Sequence, residues 1–158
     1  MQTEQALGNL DSAKAIFEAD RKGCVPDGWN RVGSGAYRNA YRSPDGFVYK
    51  VCKHRFNSSE DNVEEINAYQ KILAKKLTKS GWRVAPVVSY DFVHGSSNVT
   101  VNVMEFVEGQ HEKMTLDNQY EKWEEIENAF FAFGLIDGHC GNYIVTGNGE
   151  KVIIDLAS

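Results

Sequence analysis

Hydrophobic positions along the chain recur with two different periods, and the two periods alternate. In Thr3–Arg21 apolar residues recur every three or four positions, which predicts an N-terminal helix closed by Gly23 and Pro26. Residues 29–54 instead alternate apolar and polar side chains around two turn signals, a pattern typical of three short strands in a meander. Helical spacing returns in residues 57–77 and predicts a second helix. Its predicted inward residues are Val63, Ile66, Tyr69, Ile72 and Leu73.

The second half of the chain repeats this alternation of periods. Residues 84–109 alternate and break at "HGSSN", which predicts two more antiparallel strands. Residues 116–134 have helical spacing, and "YIV" and "VIID" predict a closing hairpin whose Asn148-Gly149 favours a tight primed turn. The third helix is predicted to bury Trp123, Ile126, Phe130 and Phe133. The predicted order is helix, five-stranded antiparallel sheet with one inserted helix, helix and hairpin, which is an α+β fold.

Composition and charge narrow the class of protein. With 158 residues, 42% of them hydrophobic, the chain can bury one modest core, so we expect a single soluble domain. No stretch approaches the roughly 18 apolar residues of a membrane span, and the N-terminus lacks the pattern of a signal peptide, so no membrane is expected as a partner. Three cysteines at spacings that fit neither a disulfide framework nor a zinc site favour the cytoplasm. A formal net charge of -5 argues against nucleic acid as a partner.

A glycine-containing turn and a strand lysine form the first candidate site. "GSGAYRNAY" places Gly33 and Gly35 between two predicted strands, where backbone N–H groups can approach phosphate oxygens closely. An ordinary hairpin turn is the simpler interpretation of this motif by itself. In the next strand, "FVYKV", Lys50 has apolar neighbours and offers a point charge for phosphates, although a lone strand lysine is more often exposed.

The second predicted helix offers an acid that could hold this lysine in place. Glu64 and Glu65 are both candidates. We prefer Glu65, because Tyr69 and Leu73 lie four and eight residues further on and would continue its face into the core.

The closing hairpin brings together a second set of oxygen donors. Asn142 precedes one strand and Asp155 follows the other, so antiparallel pairing should place them side by side. Asp137 lies on the loop that enters the same hairpin. Taken singly, these are ordinary turn or cap residues. Combined with a phosphate-binding loop elsewhere they predict a magnesium site, because Mg²⁺ is usually held by one or two carboxylates plus substrate phosphates.

Taken in order, these motifs resemble the protein kinase-like superfamily. The resemblance begins near Trp29 and includes the glycine loop, the strand lysine, the helix glutamate, the hinge-like "VMEFVEG", the catalytic loop-like "DGHCGN", and "DLA" where kinases carry Asp-Phe-Gly. It implies a kinase-like fold with a five-stranded N-lobe and a minimal C-lobe made of one helix and the catalytic hairpin. Within a single domain, 1–158, the implied segments are an N-terminal helix (1–26), an N-lobe (29–109) and a reduced C-lobe (110–158).

The resemblance implies a role for each matching position, with ATP and Mg²⁺ as cofactors. The implied catalytic residues are Asp137, His139 and Lys50; the implied nucleotide-binding residues are Gly33, Ser34, Gly35, Arg38, Lys50, Glu65, Met104, Glu105 and Val107; and the implied metal ligands are Asn142 and Asp155. Asp137 would accept or orient the proton of the attacking hydroxyl. Met104 would line the back of the adenine pocket.

Several positions depart from the family pattern. Arg38 stands where a third glycine is usual; it could reach a phosphate from the loop tip, but an exposed hairpin arginine is the plainer interpretation. His139 stands two residues after Asp137, either as a phosphate contact or as a histidine that ties the loop by hydrogen bonds. Only three residues follow Asp155, so we expect a cut-down domain without the activation segment and the helical substrate-binding half.

The compact "DxHxGN" form most resembles the early serine/threonine protein kinases of lytic bacteriophages. That resemblance implies ATP-dependent phosphorylation of host bacterial proteins in the host cytoplasm. Two alternatives stay open. One is a nucleotide-binding pseudokinase or inhibitor that acts by binding a host protein, and the other is a small-molecule phosphotransferase whose acidic "YEKWEEIEN" helix lines a pocket for cationic substrates.

Overall fold

Helices alternate with two β-sheets in the computed structural model, which describes residues 7–53, 59–136 and 138–156. The helices are α1 (Leu10–Arg21), α2 (Glu60–Lys75) and α3 (Gln119–Ala132), and a 3₁₀ turn covers Cys140–Asn142. The strands are β1 (Asn30–Ser34), β2 (Arg38–Arg42), β3 (Phe47–Cys52), β4 (Trp82–Val84), β5 (Val87–His94), β6 (Ser97–Glu105), β7 (Tyr143–Val145) and β8 (Lys151–Ile153). Within these ranges no helix has the length and apolar character needed to cross a membrane.

The first sheet is antiparallel throughout and has the strand order β1-β2-β3-β6-β5. Helix α2 follows β3 in the chain, so the predicted α+β fold with a five-stranded antiparallel sheet and an inserted helix is confirmed. The second sheet has the order β4-β8-β7, in which β8 pairs antiparallel with β7 and parallel with β4. Strand β4 was not predicted, because three residues are too few to show a period of two.

The described residues divide into two compact units. The first contains the residues up to Ile66 together with Pro86–Phe106, and thus α1, the five-stranded sheet and the first turns of α2. The second contains Asn67–Ala85 together with the residues from Val107 onward, and thus the small sheet and α3.

One face of the five-stranded sheet is apolar, and the other, the polar face, combines buried polar and charged residues with apolar ones such as Val48 and Met104. Alternate residues of its central strands, among them Tyr49, Val51 and Val101, pack with Ile16 and Phe17 of α1 in the main core. Full burial of a side chain such as Ile16 stabilises the fold by about 1.5–3 kcal/mol. The residues between them point to the opposite face, which is also buried but carries polar and charged side chains.

Helix α1 is shorter than predicted. Asn9 has an extended backbone and caps the helix, since its side-chain oxygen accepts the Ser12 N–H at 2.7 Å, and Leu10 is the first helical residue. The predicted start at Thr3 lies outside the described residues, but the cap at Asn9 rules out one continuous helix from there. Gly23, with a φ of 72°, follows the helix at its other end, as predicted.

Helix α2 buries a polar face, whereas the sequence predicted an apolar one. Asn62 and Glu65 are fully buried, while Val63 and Leu73 expose 42% and 57% of their surface. Ile72 is buried as predicted. The physical reason is that the sheet presents its polar face to α2, so the helix is held there by hydrogen bonds and ion pairs.

Helix α3 buries Ile126, Phe130 and Phe133 as predicted, but Trp123 is 47% exposed rather than inward. The unpredicted strand β4 supplies a different tryptophan to this core. The ring centroid of Trp82 lies 6.1 Å from that of Phe130, in an edge-on arrangement.

The predicted closing hairpin is present, but the prediction of a primed turn between its strands is wrong. The Gly149 N–H donates to the Thr146 carbonyl at 3.0 Å, and the Thr146 N–H donates to the Glu150 carbonyl at 2.8 Å. The φ angle is positive at Gly149, at 85°, but not at Asn148. Both types of primed two-residue turn need positive φ at the first central residue, which here would be Asn148, so this connection is instead a three-residue loop that ends in a left-handed glycine.

Gly138 packs against α3 without room for a side chain. A Cβ at this position would lie 2.9 Å from Cγ of Phe130 and 3.1 Å from Cγ2 of Ile126. We therefore expect Gly138→Ala to lower the free energy of unfolding by about 1–3 kcal/mol through overpacking. Gly147→Ala is the control, because its Cβ would meet open space, and it should change stability by less than about 0.5 kcal/mol. Equal urea midpoints for the two variants would contradict this packing.

Candidate functional site

Lys50 and Glu65 form a buried ion pair between β3 and α2. Lys50 Nζ lies 2.9 Å from Glu65 Oε2, and the glutamate side chain has no solvent exposure. Glu64, the other candidate partner, is exposed. The structure therefore gives Lys50 the partner that the helical spacing favoured, although the reason differs, because the face of α2 that follows Glu65 is not the apolar one expected.

Arg38 shares the same carboxylate, which corrects the expectation of an exposed hairpin arginine. Its two terminal nitrogens donate to Glu65, Nη1 to Oε1 at 2.9 Å and Nη2 to Oε2 at 3.2 Å. Nη1 also donates to Asn62 Oδ1 at 3.1 Å. The side chain is only 9% exposed, because it turns from the first residue of β2 toward α2 rather than outward. Its predicted contact with nucleotide remains a prediction.

Two buried asparagines connect this ion cluster to the sheet. Asn62 Nδ2 donates to the carbonyls of Lys50, at 2.9 Å, and Thr100, at 2.8 Å. Asn102 Nδ2 donates to Glu65 Oε1 at 3.1 Å and to the Asn62 carbonyl at 2.9 Å. Sequence reasoning missed both residues. The sequence does offer one signal, because Asn102 is a polar residue between Val101 and Val103 in a largely apolar strand. A period of two, however, assigns Asn102 to a solvent-exposed face.

The cluster is fully hydrogen-bonded. Arg38, Lys50 and Asn102 together donate four hydrogen bonds to Glu65, and no buried side-chain nitrogen or oxygen among the described residues lacks a partner. A satisfied network of this kind rigidifies its surroundings, whereas removal of one charge would take a buried partner away from the others. The position of the Lys50 ammonium is therefore fixed by its surroundings.

The glycine turn is exposed and lies directly beside this cluster in the chain. Ser34 and Asn39 face each other across β1 and β2, and Gly35 donates its N–H to the Arg38 carbonyl at 2.9 Å. A bulge interrupts the ladder between Arg31 and Gly33. The N–H of Gly35 is thus used within the turn, and the predicted contacts of this turn with phosphate remain predictions.

The hinge-like residues lie at the end of β6. Met104 is buried and pairs with Val48 of β3 and Val87 of β5. Glu105 is the last residue of this strand, and Val107 lies two residues further along the chain; both are half-buried. Their predicted contacts with adenine remain predictions.

In the second unit the hairpin brings Asn142 close to Asp155. Tyr143 pairs with Ile153, and the Ile154 N–H donates to the Asn142 carbonyl at 2.9 Å, so Asn142 and Asp155 lie one residue apart across the hairpin. Asn142 is buried and Asp155 half-buried. An amide oxygen and a carboxylate are hard donors of the kind that Mg²⁺ prefers, so this donor set fits the predicted ion.

The remaining predicted acid, Asp137, lies outside the described residues. Within the described part of the chain, no group of three or more His, Cys, Asp or Glu side chains is arranged to hold a metal ion. The predicted ligands are one amide and one carboxylate, so the magnesium site stays a prediction.

His139 caps the 3₁₀ turn that carries Asn142. Its Nδ1 accepts the Gly141 N–H at 3.1 Å, which requires that this nitrogen is unprotonated. Of the two interpretations drawn from the sequence, the structure shows the hydrogen bond of a loop-tying histidine. The phosphate contact remains a prediction.

A segment before α3 holds the same hairpin from its other side. Gln110 and Val145 exchange two backbone hydrogen bonds, of 3.0 and 2.8 Å. His111 Nδ1 lies 2.9 Å from the Cys140 carbonyl and 3.1 Å from that of Tyr143, so it acts as a donor. Sequence reasoning missed this segment, because single bridge residues leave no periodic pattern.

Glu112 anchors a charged cluster in this second unit. It accepts the Tyr143 hydroxyl at 2.7 Å and lies 3.4 Å from Lys122 and 3.5 Å from Lys151. Burial raises the pKa of Glu112, but the Tyr143 hydrogen bond and the two lysine charges outweigh it, so this pKa lies below its ordinary value. Burial and the bond to Glu112 raise the pKa of Tyr143, which therefore stays a donor.

Comparison with known proteins finds only a partial likeness. No protein-family model and no curated protein matches the chain. The solved streptomycin-ATP ternary complex of APH(2″)-IIa aligns with 75% of this chain and 34% of its own, at 17% identity and a TM-score of 0.38. The GDP complex of an aminoglycoside 2′-phosphotransferase IIIa mutant aligns with 80% of this chain and 45% of its own, at 14% identity and a TM-score of 0.42. A MAP kinase from Leishmania major aligns with 93% of this chain and 51% of its own, at 14% identity and a TM-score of 0.39.

The chain thus spans about a third to a half of the length of these proteins. At these TM-scores the likeness assigns neither a family nor an activity.

We expect Glu65→Gln to destabilise the first unit by about 3–5 kcal/mol, because the neutral amide would leave Arg38 and Lys50 buried without their shared counter-charge. Glu64→Gln is the matched control, since Glu64 is exposed on the same turn, and it should cost less than about 0.5 kcal/mol. Urea unfolding followed by circular dichroism measures both. Similar midpoints for the two variants would show that the ion cluster does not hold α2.

Glu112 should make stability depend on pH. Its pKa is lower in the folded than in the unfolded chain, so its contribution is complete at neutral pH and is lost as the pH falls through the folded-state pKa. Glu112→Gln should therefore destabilise the protein at about pH 7, and this effect should shrink as the pH falls through and below the ordinary range of a glutamate carboxyl. Glu121→Gln, an exposed change on α3, should show no such trend. A Glu112→Gln effect that is constant with pH would refute the ion cluster.

Proposed function

We propose that the chain is an ATP- and Mg²⁺-dependent phosphotransferase that acts on serine and threonine hydroxyls of proteins. The observation that carries this proposal is the buried Lys50–Glu65 pair, with its 2.9 Å contact between β3 and α2. Burying these charges costs desolvation energy that the pair only partly recovers, so stability alone does not account for it. A lysine held at one fixed position is suited to neutralising phosphate oxygens.

Each residue then has a defined task in phosphoryl transfer. Lys50 would bind phosphate oxygens while Glu65 holds its ammonium in place. Asn142 and Asp155 would hold Mg²⁺, which when bound neutralises negative charge on the phosphates. Asp137 would take the proton of the attacking hydroxyl. The hydroxyl oxygen forms a bond to the γ-phosphorus, the bond from that phosphorus to the β–γ bridging oxygen breaks, and ADP leaves.

The choice of a protein hydroxyl as acceptor rests on the resemblance of the compact "DxHxGN" form, here "DGHCGN", to the early serine/threonine kinases of lytic bacteriophages. On this proposal the substrates are host bacterial proteins in the host cytoplasm. A nucleotide-binding protein that acts by binding, and a phosphotransferase for small molecules, are the competing outcomes of the experiment below.

Mg-ATP should raise the thermal midpoint of the wild-type protein by several degrees, because a ligand that binds only the folded state stabilises it. Lys50→Met and Asp155→Asn should lose this ligand-induced rise, each measured against its own midpoint without ligand. Lys71→Met should keep it, since Lys71 is an exposed lysine of α2. No rise in the wild type would overturn the proposed nucleotide site.

Incubation with γ-labelled ATP and bacterial lysate then identifies the acceptor. We expect label in protein for the wild type and none for Asp137→Asn, which should still show the thermal rise. Label in a small molecule would replace the protein acceptor with a small one. Nucleotide binding without any transfer would identify a protein that acts by binding.

A further inference from the structure

Asp20, in the last turn of α1, is a nearly buried carboxylate with three partners in the first unit. Oδ1 accepts the Tyr41 hydroxyl at 2.5 Å and Asn39 Nδ2 at 2.9 Å, and Oδ2 lies 3.4 Å from Arg21 Nη1. The side chain of Asp20 is only 6% exposed. The apolar packing of α1 is provided by other residues, such as Phe17, so the position of this carboxylate needs its own explanation.

Asn39 connects Asp20 to the glycine turn by hydrogen bonds. A carboxylate only accepts hydrogen bonds, so Asn39 must present its NH₂ group to Asp20 and its oxygen to the opposite side. That oxygen accepts the Ser34 hydroxyl at 2.8 Å. Ser34 and Asn39 are directly paired across β1 and β2 at the base of the turn, and Ser34 is exposed. One chain of hydrogen bonds thus runs from α1 to the turn.

The turn is also held from the other face of the sheet. Successive residues of a strand point to opposite faces, so Arg38 reaches Glu65 on α2 while Asn39 reaches Asp20 on α1. The β2 side of the turn is therefore fixed by one residue on each face. The α1 contact continues through Asn39 to Ser34, on the β1 side.

We propose that Asp20 is a positioning residue that sets the geometry of the glycine turn through Asn39 and Ser34, and that α1 is thereby part of the nucleotide-binding apparatus. This inference rests on the proposed function for the identity of the ligand. It assigns α1 a role beyond completing the core. The ligand class is a nucleoside triphosphate, whose phosphates the turn would contact.

Tyr41 provides a matched control within the same cluster. Its hydroxyl donates to the same Asp20 oxygen, whereas the hydrogen bond that reaches Ser34 is made by Asn39. Burial and the bond to Asp20 raise the pKa of Tyr41, so it stays a donor at all moderate pH values. Tyr41→Phe therefore removes one hydrogen bond from Asp20 and a contact with Asn39, but it keeps the two hydrogen bonds that join Asp20 to Asn39 and Asn39 to Ser34.

The first readout is the affinity for Mg-ATP, measured by calorimetry. Asn39→Ala should weaken binding about two- to tenfold, the effect of losing a hydrogen bond or two, and Ser34→Ala should do the same. The double variant with Asn39→Ala and Ser34→Ala should bind Mg-ATP no more weakly than either single variant, because both substitutions interrupt the same chain of hydrogen bonds. Tyr41→Phe should lower the thermal midpoint without changing affinity. Equal affinities for Asn39→Ala, Ser34→Ala and wild type would overturn the inference.

The second readout needs no nucleotide and separates this inference from the proposed function. The Gly35 N–H, which donates to the Arg38 carbonyl, should exchange with deuterium several times faster in Asn39→Ala and Asp20→Ala than in the wild type. Tyr41→Phe should leave this rate unchanged. If the wild type fails to bind Mg-ATP the proposed function is wrong, while unchanged exchange in Asn39→Ala shows that Asp20 does not position the turn.

Discussion

The charge of Glu65 is the constraint on which the first unit depends. This carboxylate has no solvent exposure and accepts hydrogen bonds from a strand arginine, a strand lysine and a buried amide. Because an unpaired charge in such a place would cost several kcal/mol, α2 can dock in only one rotation about its axis. A rotation of α2 by about 100° about its axis would put Glu64 in the place of Glu65 and would take the shared carboxylate away from both cations. Electrostatics, rather than apolar area, thus selects the orientation of this helix.

The sheet separates two kinds of stabilisation. Its apolar face is covered by α1, where burial of Ile16 and Phe17 provides a non-directional driving force. Its polar face is covered by α2, where each contact has a defined distance and direction. Strand β2 connects the two, since Arg38 and Asn39 are neighbours in sequence and lie on opposite faces. The glycine turn is consequently located by both helices, although it is itself exposed.

Much of this fold could be predicted from the periods of hydrophobic residues, because five of the eight strands form one regular antiparallel sheet. Side-chain environments were predicted less well. The alternation of apolar and polar residues around Arg38 could not show that this side chain meets a buried carboxylate. The carboxylate belongs to Glu65, on a helix more than twenty residues further along the chain. Trp123 was placed inward because its spacing matches Ile126 and Phe130, but Trp82 from a three-residue strand occupies that core. The Asn148-Gly149 signal identified the hairpin but not its turn, since the position of the left-handed residue is set by the hydrogen bonds of Thr146.

The order of strands in the small sheet has a consequence for biosynthesis. Its central strand, β8, is the last of the three in sequence, and its parallel partner β4 precedes α3. The five-stranded sheet has all its strands once Glu105 has been synthesised, whereas β4 and β7 have no common partner until Lys151–Ile153 emerges. Such non-local parallel pairing is slow. We therefore expect the first unit to form ahead of the second on the ribosome, with the β8-facing edges of β4 and β7 open to chaperones and proteases until β8 arrives.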